Sequence, residues 1–336
     1  MKVKSKIIII LGPTSSGKSD IAIKLAKKFN GEIISADSRQ VYRGMDIGTG
    51  KIEADHPAEI PQRFANSKSY AGPSKNKSYL SGKIPHYLID NASPRTNYNA
   101  AKFKKDAEKI IANISKRRKL PIICGGTGFW IKSVVDDISY PEVKPDWKLR
   151  KKLNSYPTEK LFKMLQKLDP ERAGNIDVKN KVRLIRAIEI CKTLGFVPSL
   201  SSSPSGRGCP VFGTSEGENY DFLQLGIFLP KEKLHENIEK RLRKRFDQGM
   251  IEEVKNLHYK NKLSWKKIES FGLGYFWIPK YLRKEIATKE ELFQKIFQAE
   301  KDYAKRQMTW FQKDKRIKWV PDYKNIEKET LGFIKN

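Results

Sequence analysis

Residues 6–19 read KIIIILGPTSSGKS, and the fold class can be inferred from this segment. The segment from Lys6 to Leu11 is short and, after Lys6, apolar and mostly β-branched, which is typical of a strand buried on both faces of a parallel sheet. A complete G-x-x-x-x-G-K-S motif follows it, and apolar residues then recur at helical spacing from Gly17 to Phe29. A strand, a glycine-rich loop and a helix in this order are the context that a phosphate-binding P-loop requires.

The residue types in this motif explain how it would hold phosphate. Glycines let backbone N–H groups surround phosphate oxygens, and the helix start adds the positive end of its dipole. Lys18 supplies a point charge, and the Ser19 hydroxyl suits Mg²⁺. A diphosphate- or nucleotide-binding site is predicted at Gly12, Pro13, Thr14, Ser15, Ser16, Gly17, Lys18 and Ser19. Because kinases, motors and switches share the motif, a phosphorylating enzyme is the default interpretation of the motif alone.

The other patterns divide the chain into three regions. Residues 1–140 alternate strand and helix patterns, as in an α/β core, with a surface insertion at about 55–85. Residues 141–220 are predicted to form a helical insertion domain that ends in a Ser-, Gly- and Pro-rich loop at 196–219. Residues 221–336 are predicted to return to the core and continue as helices. Further strands are predicted at 32–35, 87–89 and 121–124, and helices at 100–114, 147–153, 159–168, 182–194, 234–257 and 289–311.

These patterns predict an α/β fold. We expect a P-loop NTPase-like core, in which helices flank a parallel sheet, together with a mostly helical region. The three cysteines lack the spacing of a zinc site and are expected to be reduced and mostly buried. The apolar run Ile7 to Leu11 is too short for a signal peptide, and no later run is long enough to span a membrane. A cytoplasmic protein with no membrane partner is expected.

The chain of 336 residues is strongly basic. Lys and Arg number 67 against 38 Asp and Glu, which gives a formal net charge of +29. This excess favours a polyanionic partner such as a nucleic acid. Lysines spread over the whole surface would give the same total, so the charge alone does not identify the partner.

A carboxylate follows the second predicted strand. Asp37 would lie at the carboxyl end of that strand beside the P-loop, where ligands of open α/β sheets bind. Its position alone leaves three roles open: Mg²⁺ ligand, helix N-cap or general base.

Four segments of the chain resemble, in order, the bacterial type of the tRNA dimethylallyltransferase family, also called the IPP transferase family: GPTSSGKS, ISADSRQVYRGMDIGTGK, PHYLID and CGGTGFWIKSV. The similarity resumes in KVRLIRAIEI, HENIEKRLRKRFDQGMIEEV and AKRQMTWF, so it covers nearly the whole chain except the two insertions. It implies an enzyme that transfers a dimethylallyl group from dimethylallyl diphosphate to N6 of the adenosine 3′ to the anticodon. The substrates would be tRNAs that read codons starting with U, and the products N6-isopentenyladenosine and diphosphate.

The resemblance also implies site residues. Asp37 would be the general base, and Thr127 and Arg241 would grip the diphosphate together with a Mg²⁺ cofactor bound at Ser19. The partner would be the tRNA anticodon stem-loop, and a monomer suffices to make the site. The implied tRNA contacts are Asp37, Ser38, Arg39, Gln40, Thr127, Arg183, Arg186, Gly272, Lys305, Arg306 and Gln307.

Without the resemblance, several of these residues have ordinary structural interpretations. Arg241 lies in a cationic run typical of a solvated helix face, and Thr127 is typical of a helix cap. Trp310 is interpreted as a core residue. The chain also departs from the family pattern, because Val182 stands where glutamine is usual and the segment around Gly272 lacks basic residues.

Three other functions remain as alternatives. A small-molecule kinase would use the same P-loop with ATP, and an isopentenyltransferase would act on free adenine nucleotides. A non-catalytic RNA-binding P-loop protein is the third. The predicted helical insertion and the positive charge argue against an enzyme of free nucleotides.

Overall fold

The computed structural model describes residues 5–55, 79–195 and 220–335. The chain forms two compact units. The first comprises Met1–Val135 and Glu218–Asn336, and the second is Asp136–Gly217. The Ser-rich loop predicted at 196–219, most of the predicted surface insertion and Cys209 lie outside the described residues.

The first unit is built on a seven-stranded sheet. Its strands are β1 (Ser5–Leu11), β2 (Gly31–Ser35), β3 (Tyr79–Ser81), β4 (Ile84–Tyr87), β5 (Leu120–Gly125), β6 (Tyr220–Ile227) and β7 (Lys318–Val320). Their order across the sheet is β3-β4-β2-β5-β1-β6-β7, and each named pairing is parallel except the β3–β4 hairpin. The predicted α/β fold with a P-loop NTPase-like core is confirmed.

Helices flank this sheet and make up the second unit. The first unit contributes α1 (Lys18–Lys28), α2 (Ala100–Lys116) and α3 (Gly128–Val135) before the second unit begins. The second unit contains α4 (Trp147–Asn154), α5 (Thr158–Leu168), α6 (Pro170–Asn175) and α7 (Lys181–Leu194). The first unit then continues with α8 (Lys231–Asp247), α9 (Met250–Tyr259), α10 (Trp265–Glu269), α11 (Gly274–Leu282), α12 (Lys289–Phe311) and α13 (Tyr323–Lys335).

The central strands end at one edge of the sheet. Residues 7–11 of β1 have no exposed surface, as expected for a strand covered on both faces. Leu11 pairs with Gly125 of β5, and Ser35 of β2 pairs with Cys124. Because these pairings are parallel, the loops that follow β1, β2 and β5 leave the sheet side by side. Ligands of open α/β sheets bind at this edge.

Two predicted element boundaries are wrong. The helix predicted at 234–257 is two helices, α8 and α9, because Gly249 adopts φ 94° in the left-handed region and interrupts the helix. The strand predicted at 87–89 lies earlier, at Ile84–Tyr87. Leu88 has φ 63°, which an extended strand does not allow.

The second unit has its own apolar core. Leu161 and Leu165 of α5 pack in a buried cluster with Leu184 of α7. Glu189 of α7 has no exposed surface and accepts hydrogen bonds from Arg150 at 2.7 and 2.8 Å and from Arg186 at 2.5 Å. Burial alone would raise the pKa of Glu189, but the hydrogen bonds from the two arginines lower it to about 2. Its carboxylate is therefore ionised at neutral pH.

The structure also bears on the cysteines and on the apolar helices. Cys124 and Cys191 are free and buried, as predicted. Across the described ranges, no helix combines the length and the apolar composition that a membrane span needs.

Candidate active site

The P-loop lies between β1 and α1, at the edge where the central strands end. Gly12 has φ 150° and Gly17 has φ 82°, conformations that favour glycine, and a Cβ on Gly12 would lie 3.1 Å from the Ile227 carbonyl oxygen. Gly17 caps α1 without a side-chain hydrogen bond. The N–H groups of the first helical turn are therefore available to an anion.

Lys18 is the first residue of α1. Its Nζ donates a 2.5 Å hydrogen bond to the carbonyl oxygen of Pro13. Burial lowers the pKa of Lys18 to about 8; Cys124 and Asp37 counteract this effect, and Arg241 adds to it. A diphosphate bound beside Lys18 would favour its charged form.

Two hydroxyls of the P-loop are buried without a partner. Within the described part of the chain, neither Ser15 Oγ nor Ser16 Oγ has a hydrogen-bond partner. Buried polar side-chain atoms are usually hydrogen-bonded, so an unpaired hydroxyl needs an explanation. A bound phosphate group would supply acceptors to both hydroxyls.

Asp37 follows β2 and stabilises a turn. Its Oδ1 accepts the backbone N–H of Arg39 at 2.8 Å and that of Gln40 at 3.2 Å. Of the three roles left open by its position, a capping role thus exists, but it caps a turn and not a helix. In the described residues the hydrogen bonds of this carboxylate involve Oδ1, so Oδ2 is available to accept a proton or a hydrogen bond from a ligand.

Thr127 follows β5 and contacts the Asp37 segment. Its N–H donates to the carbonyl oxygen of Ala36 at 3.1 Å, and its Oγ1 accepts the backbone N–H of Ser38 at 3.0 Å. Its own carbonyl oxygen accepts the N–H of Trp130 in α3. Thr127 therefore directly precedes α3, and its hydroxyl fixes the loop that carries Asp37.

Arg241 extends from α8 to the P-loop. Its Nη1 donates to Thr14 Oγ1 at 3.3 Å, and its Nη2 donates to the Gly50 carbonyl oxygen at 2.6 Å. Burial and the neighbouring Arg245 lower the pKa of Arg241. The solvated-face interpretation fits Arg243, which is 58% exposed and pairs with Glu239 at 2.7 Å, but it is wrong for Arg241.

Gln307 joins two loops of the site. The Thr14 N–H donates to Gln307 Oε1 at 2.8 Å, and Gln307 Nε2 donates to the Gly126 carbonyl oxygen at 2.8 Å. The side chain is 7% exposed. Sequence reasoning assigned Gln307 to RNA contacts and missed this bridge, because no local pattern signals a contact between residues so far apart in the chain.

Several residues with implied RNA contacts lie beside Asp37. Arg39 Nε donates to the Phe271 carbonyl oxygen at 2.8 Å, next to Gly272, and the guanidinium lies 4.8 Å from the centre of the Tyr303 ring. Lys305 and Arg306 are exposed on α12. The structure therefore brings together the segment from Asp37 to Gln40, the Gly272 turn and α12.

Two residues with implied tRNA contacts lie in the second unit, and one residue expected in the core is partly exposed. Arg183 is exposed at the start of α7 in the second unit, and Arg186 is held there by Glu189 and by the Val143 carbonyl oxygen at 3.0 Å. The interpretation of Trp310 as a core residue is wrong, since it is 39% exposed. One edge of its ring packs against Gly128, and the ring also makes an edge contact with Phe129.

A cavity collects these side chains. It is lined by P-loop residues, by Asp37 and by Arg241. Among the lining residues that the sequence did not indicate are Thr49, Ile52, His86 and Tyr303. The signal for Thr49 was the GTGK segment at 48–51, which is part of the family resemblance. Apolar side chains line another part of the cavity, namely Ala22, Ile33, Ile52 and Ile89.

The donor set fits a hard cation such as Mg²⁺. Ser19 lines the cavity and offers a hydroxyl oxygen, the ligand type that Mg²⁺ prefers. The residues that the structure describes include no cluster of three or more His, Cys, Asp or Glu side chains suited to a metal. Mg²⁺ usually binds through few protein ligands together with substrate phosphates and water, so the Ser19 hydroxyl would suffice beside a diphosphate.

The fold and the cavity define an α/β protein of the P-loop class. The sequence profile of the IPP transferase family matches residues 71–314, and the isopentenyl transferase profile matches residues 5–62. A tRNA dimethylallyltransferase from Thermoanaerobacter sp. (strain X514) is 37% identical, over 98% of this chain and 96% of the relative. The one from Finegoldia magna is 35% identical, over 99% and 97%. The chain therefore belongs to the tRNA dimethylallyltransferase (IPP transferase) family, and it is an enzyme of the transferase class.

Solved structures support the same family. The full-length tRNA isopentenylpyrophosphate transferase of Bacillus halodurans superposes with a TM-score of 0.64 at 30% identity, covering 99% of this chain and 96% of that one. The tRNA isopentenylpyrophosphate transferase of Staphylococcus epidermidis gives 0.62 at 32% identity and covers 99% of both chains. A eukaryotic dimethylallyltransferase shares the fold, with a TM-score of 0.65 at 23% identity over 91% of this chain and 70% of that one.

Proposed function

We propose that this enzyme transfers the dimethylallyl group of dimethylallyl diphosphate to N6 of the adenosine 3′ to the anticodon in tRNA. The acceptors would be tRNAs that read codons starting with U, and the product N6-isopentenyladenosine. The observation that carries the proposal is one cavity that unites a diphosphate cradle, a carboxylate and apolar side chains. The curated relatives named tRNA dimethylallyltransferase support the same activity.

We propose that the carboxylate of Asp37 activates the amine. An adenine amine is a weak nucleophile, since its lone pair is delocalised into the ring. Asp37 would accept a hydrogen bond from the amine and take its proton as the new C–N bond forms at the allylic carbon. General-base catalysis of this kind contributes about 10²- to 10⁴-fold. The turn at Arg39 and Gln40 holds Asp37 through Oδ1, which leaves Oδ2 for the substrate.

The leaving group is diphosphate, which gains negative charge as the allylic C–O bond breaks. Lys18, Arg241, the N–H groups at the start of α1 and the P-loop hydroxyls would stabilise this charge. Thr127 fixes the Asp37 loop through Ser38, and its side chain would also contact the diphosphate. When bound at Ser19, Mg²⁺ would neutralise part of the diphosphate charge. The apolar residues Ile33, Ile52 and Ile89 would accommodate the five-carbon group.

The RNA side of the site follows from the residues beside Asp37. We propose that Ser38, Arg39, Gln40 and the Gly272 turn surround the target base, and that Lys305 and Arg306 pair with phosphates. Gln307 would position the two loops it bridges, and Arg186 would stabilise α7, on which Arg183 is exposed. The target adenosine would enter the site unstacked from its neighbours.

We also propose that the enzyme acts as a monomer in the cytoplasm. A single chain supplies every side chain to which the reaction assigns a role. The acceptor would be tRNA, and the relatives from Thermoanaerobacter and Finegoldia magna are bacterial enzymes.

A small-molecule kinase is the main alternative, since it shares the P-loop. It needs a phosphate acceptor, whereas the proposed reaction moves no phosphoryl group. The apolar lining beside the P-loop favours a prenyl donor over a nucleoside triphosphate alone.

The decisive test incubates the purified protein with MgCl₂, dimethylallyl diphosphate and an unmodified anticodon stem-loop, then measures nucleoside masses. We expect the target adenosine to gain one dimethylallyl group, and a stem-loop with inosine at that position to give no product. An unchanged adenosine, or phosphate transfer from ATP to a small acceptor in parallel reactions, would overturn the proposal.

A further inference from the structure

A short loop connects the Asp37 segment to Arg241. We term residues 46–50, with the sequence DIGTG, the 46–50 loop. Glu253 of α9 binds this loop through both carboxylate oxygens. Its Oε2 accepts the N–H groups of Asp46 and Ile47, each at 2.6 Å, and its Oε1 accepts the Gly48 N–H at 3.0 Å. Three consecutive backbone amides converging on one anion fix the path of a chain segment.

A buried phenol completes the binding of Glu253. The Tyr275 hydroxyl donates to Glu253 Oε1 at 2.7 Å, and Tyr275 has no exposed surface. The Glu253 carboxylate thus accepts four charge-assisted hydrogen bonds, three from the loop amides and one from the Tyr275 hydroxyl. Within the described residues, Glu253 is the acidic side chain that accepts hydrogen bonds from the amides of Asp46, Ile47 and Gly48.

The loop is pressed closely against its neighbours. A Cβ on Gly48 would lie 2.6 Å from the Tyr275 hydroxyl oxygen, and a Cβ on Gly50, which has φ 58°, would lie 2.1 Å from Arg241 Nη2. Only glycine allows these approaches. The loop backbone therefore acts as a wall against which the guanidinium of Arg241 is held.

The hydrogen bonds continue from the loop to the P-loop. The Gly50 carbonyl oxygen accepts Arg241 Nη2 at 2.6 Å, and Arg241 Nη1 donates to Thr14 Oγ1 at 3.3 Å. The Gly48 carbonyl oxygen accepts Arg245 Nη1 at 3.0 Å. The position of the loop carbonyls thus decides where the Arg241 guanidinium lies relative to the P-loop.

We propose that Glu253 is a positioning residue that fixes the 46–50 loop and, through the Gly50 carbonyl oxygen, orients Arg241 toward the diphosphate. Glu253 does not touch the substrate; it acts through Arg241. The inference rests on the proposed function, in which Arg241 binds the diphosphate.

The test measures the affinity of the full chain for inorganic pyrophosphate with MgCl₂ by calorimetry, without RNA. In E253Q an amide N–H₂ replaces one acceptor of the loop amides, and we expect the Kd for pyrophosphate to rise about 10-fold. The matched control is E252Q, since Glu252 lies beside Glu253 on α9 but is exposed and pairs with Lys255. Its Kd should stay within about twofold of wild type.

A double-mutant cycle separates positioning from a general structural effect. If Glu253 acts through Arg241, E253Q should add little to the Kd of R241A. In steady-state prenyl transfer, E253Q should raise the KM for the diphosphate donor and leave the KM for the RNA unchanged. The inference would be overturned if E253Q bound pyrophosphate with the Kd of wild type. It would also be overturned if E253Q raised the Kd of R241A by the same factor by which it raises the Kd of wild type.

A second variant guards against misfolding. If E253Q shows no cooperative thermal transition, Y275F takes its place in the same cycle, because it removes a single donor to Glu253 and keeps the packed ring. A smaller loss of affinity that disappears in R241A supports the inference, and an unchanged affinity overturns it. If wild type itself does not bind pyrophosphate, the proposed function fails and this inference with it.

Discussion

The two sides of the cavity are supplied by the chain in different ways. The P-loop wall consists of Thr14, Lys18, Ser19 and Asp37, which closely follow the ends of β1 and β2. The helical wall consists of the 46–50 loop, Arg241 of α8 and Gln307 of α12. The P-loop wall is encoded by short motifs at strand ends, whereas the helical wall depends on contacts between distant segments. The comparison predicts that the first wall determines chemistry and the second determines geometry and stability.

The largest effect is expected for the carboxylate of the P-loop wall. D37N keeps an oxygen that accepts the N–H groups of Arg39 and Gln40, so the turn should persist while the base is lost. We expect kcat for prenyl transfer to fall about 10³-fold, with RNA affinity unchanged. Single-turnover rates and filter binding measure the two quantities. Near-normal turnover in D37N would remove Asp37 as the base.

The next effect compares two arginines on one helix. R241A removes the guanidinium that contacts Thr14, and we expect kcat/KM for the prenyl donor to fall about 10²-fold. R243A removes an exposed arginine that pairs with Glu239, and it should change kcat/KM by less than about threefold. Equal losses of kcat/KM in the two variants would show that the total positive charge of the run matters and that Arg241 makes no specific contribution.

The helical wall should also contribute to stability. Arg245 Nη2 donates to both carboxylate oxygens of Glu300 at 2.6 and 2.7 Å, and both side chains are buried. E300Q leaves the arginine without its countercharge, so the free energy of unfolding should fall by about 3 kcal/mol. Urea denaturation measures this change. D302N, at an exposed position on the same helix, is the control, and equal stabilities of the two variants would contradict the prediction.

The smallest effect concerns pH and the P-loop wall. Because burial lowers the pKa of Lys18 to about 8, this side chain is charged below pH 8 and loses its proton above it. Pyrophosphate affinity should therefore fall about 10-fold between pH 7 and pH 9. K18M should bind more weakly at pH 7 and lose this decrease. A K18M protein that keeps the same pH profile would assign the decrease to another group.

The location of the residues of the P-loop wall could be predicted from the sequence, and the reason is physical. Parallel strands end at one edge, so a motif that follows a buried strand must lie there, and Lys18 and Asp37 could be placed from strand patterns. The fold class follows from the same alternation. The family resemblance added Thr127 and Arg241, which patterns alone interpreted as a cap and a solvated residue.

The helical wall could not be predicted in the same way. Gln307 and Thr14 are far apart in the chain, and no periodicity indicates that the amide of one binds the backbone of the other. Glu253 follows another glutamate on an amphipathic helix, a pattern typical of solvent exposure. Trp310 was misplaced because residue type predicts burial only on average, and the last turn of α12 leaves its ring half open. Such contacts arise only from tertiary packing.

In the proposed reaction, diphosphate leaves from the P-loop while Asp37 deprotonates an RNA amine. The most direct measurement counts both products in one reaction of wild-type protein, dimethylallyl diphosphate and anticodon stem-loop, using ³¹P NMR for diphosphate and mass spectrometry for the nucleoside. We expect one diphosphate to be released for each dimethylallyl-adenosine formed, and neither product to rise above background in D37N. Diphosphate release without a modified adenosine, or phosphate attached to the RNA, would contradict it.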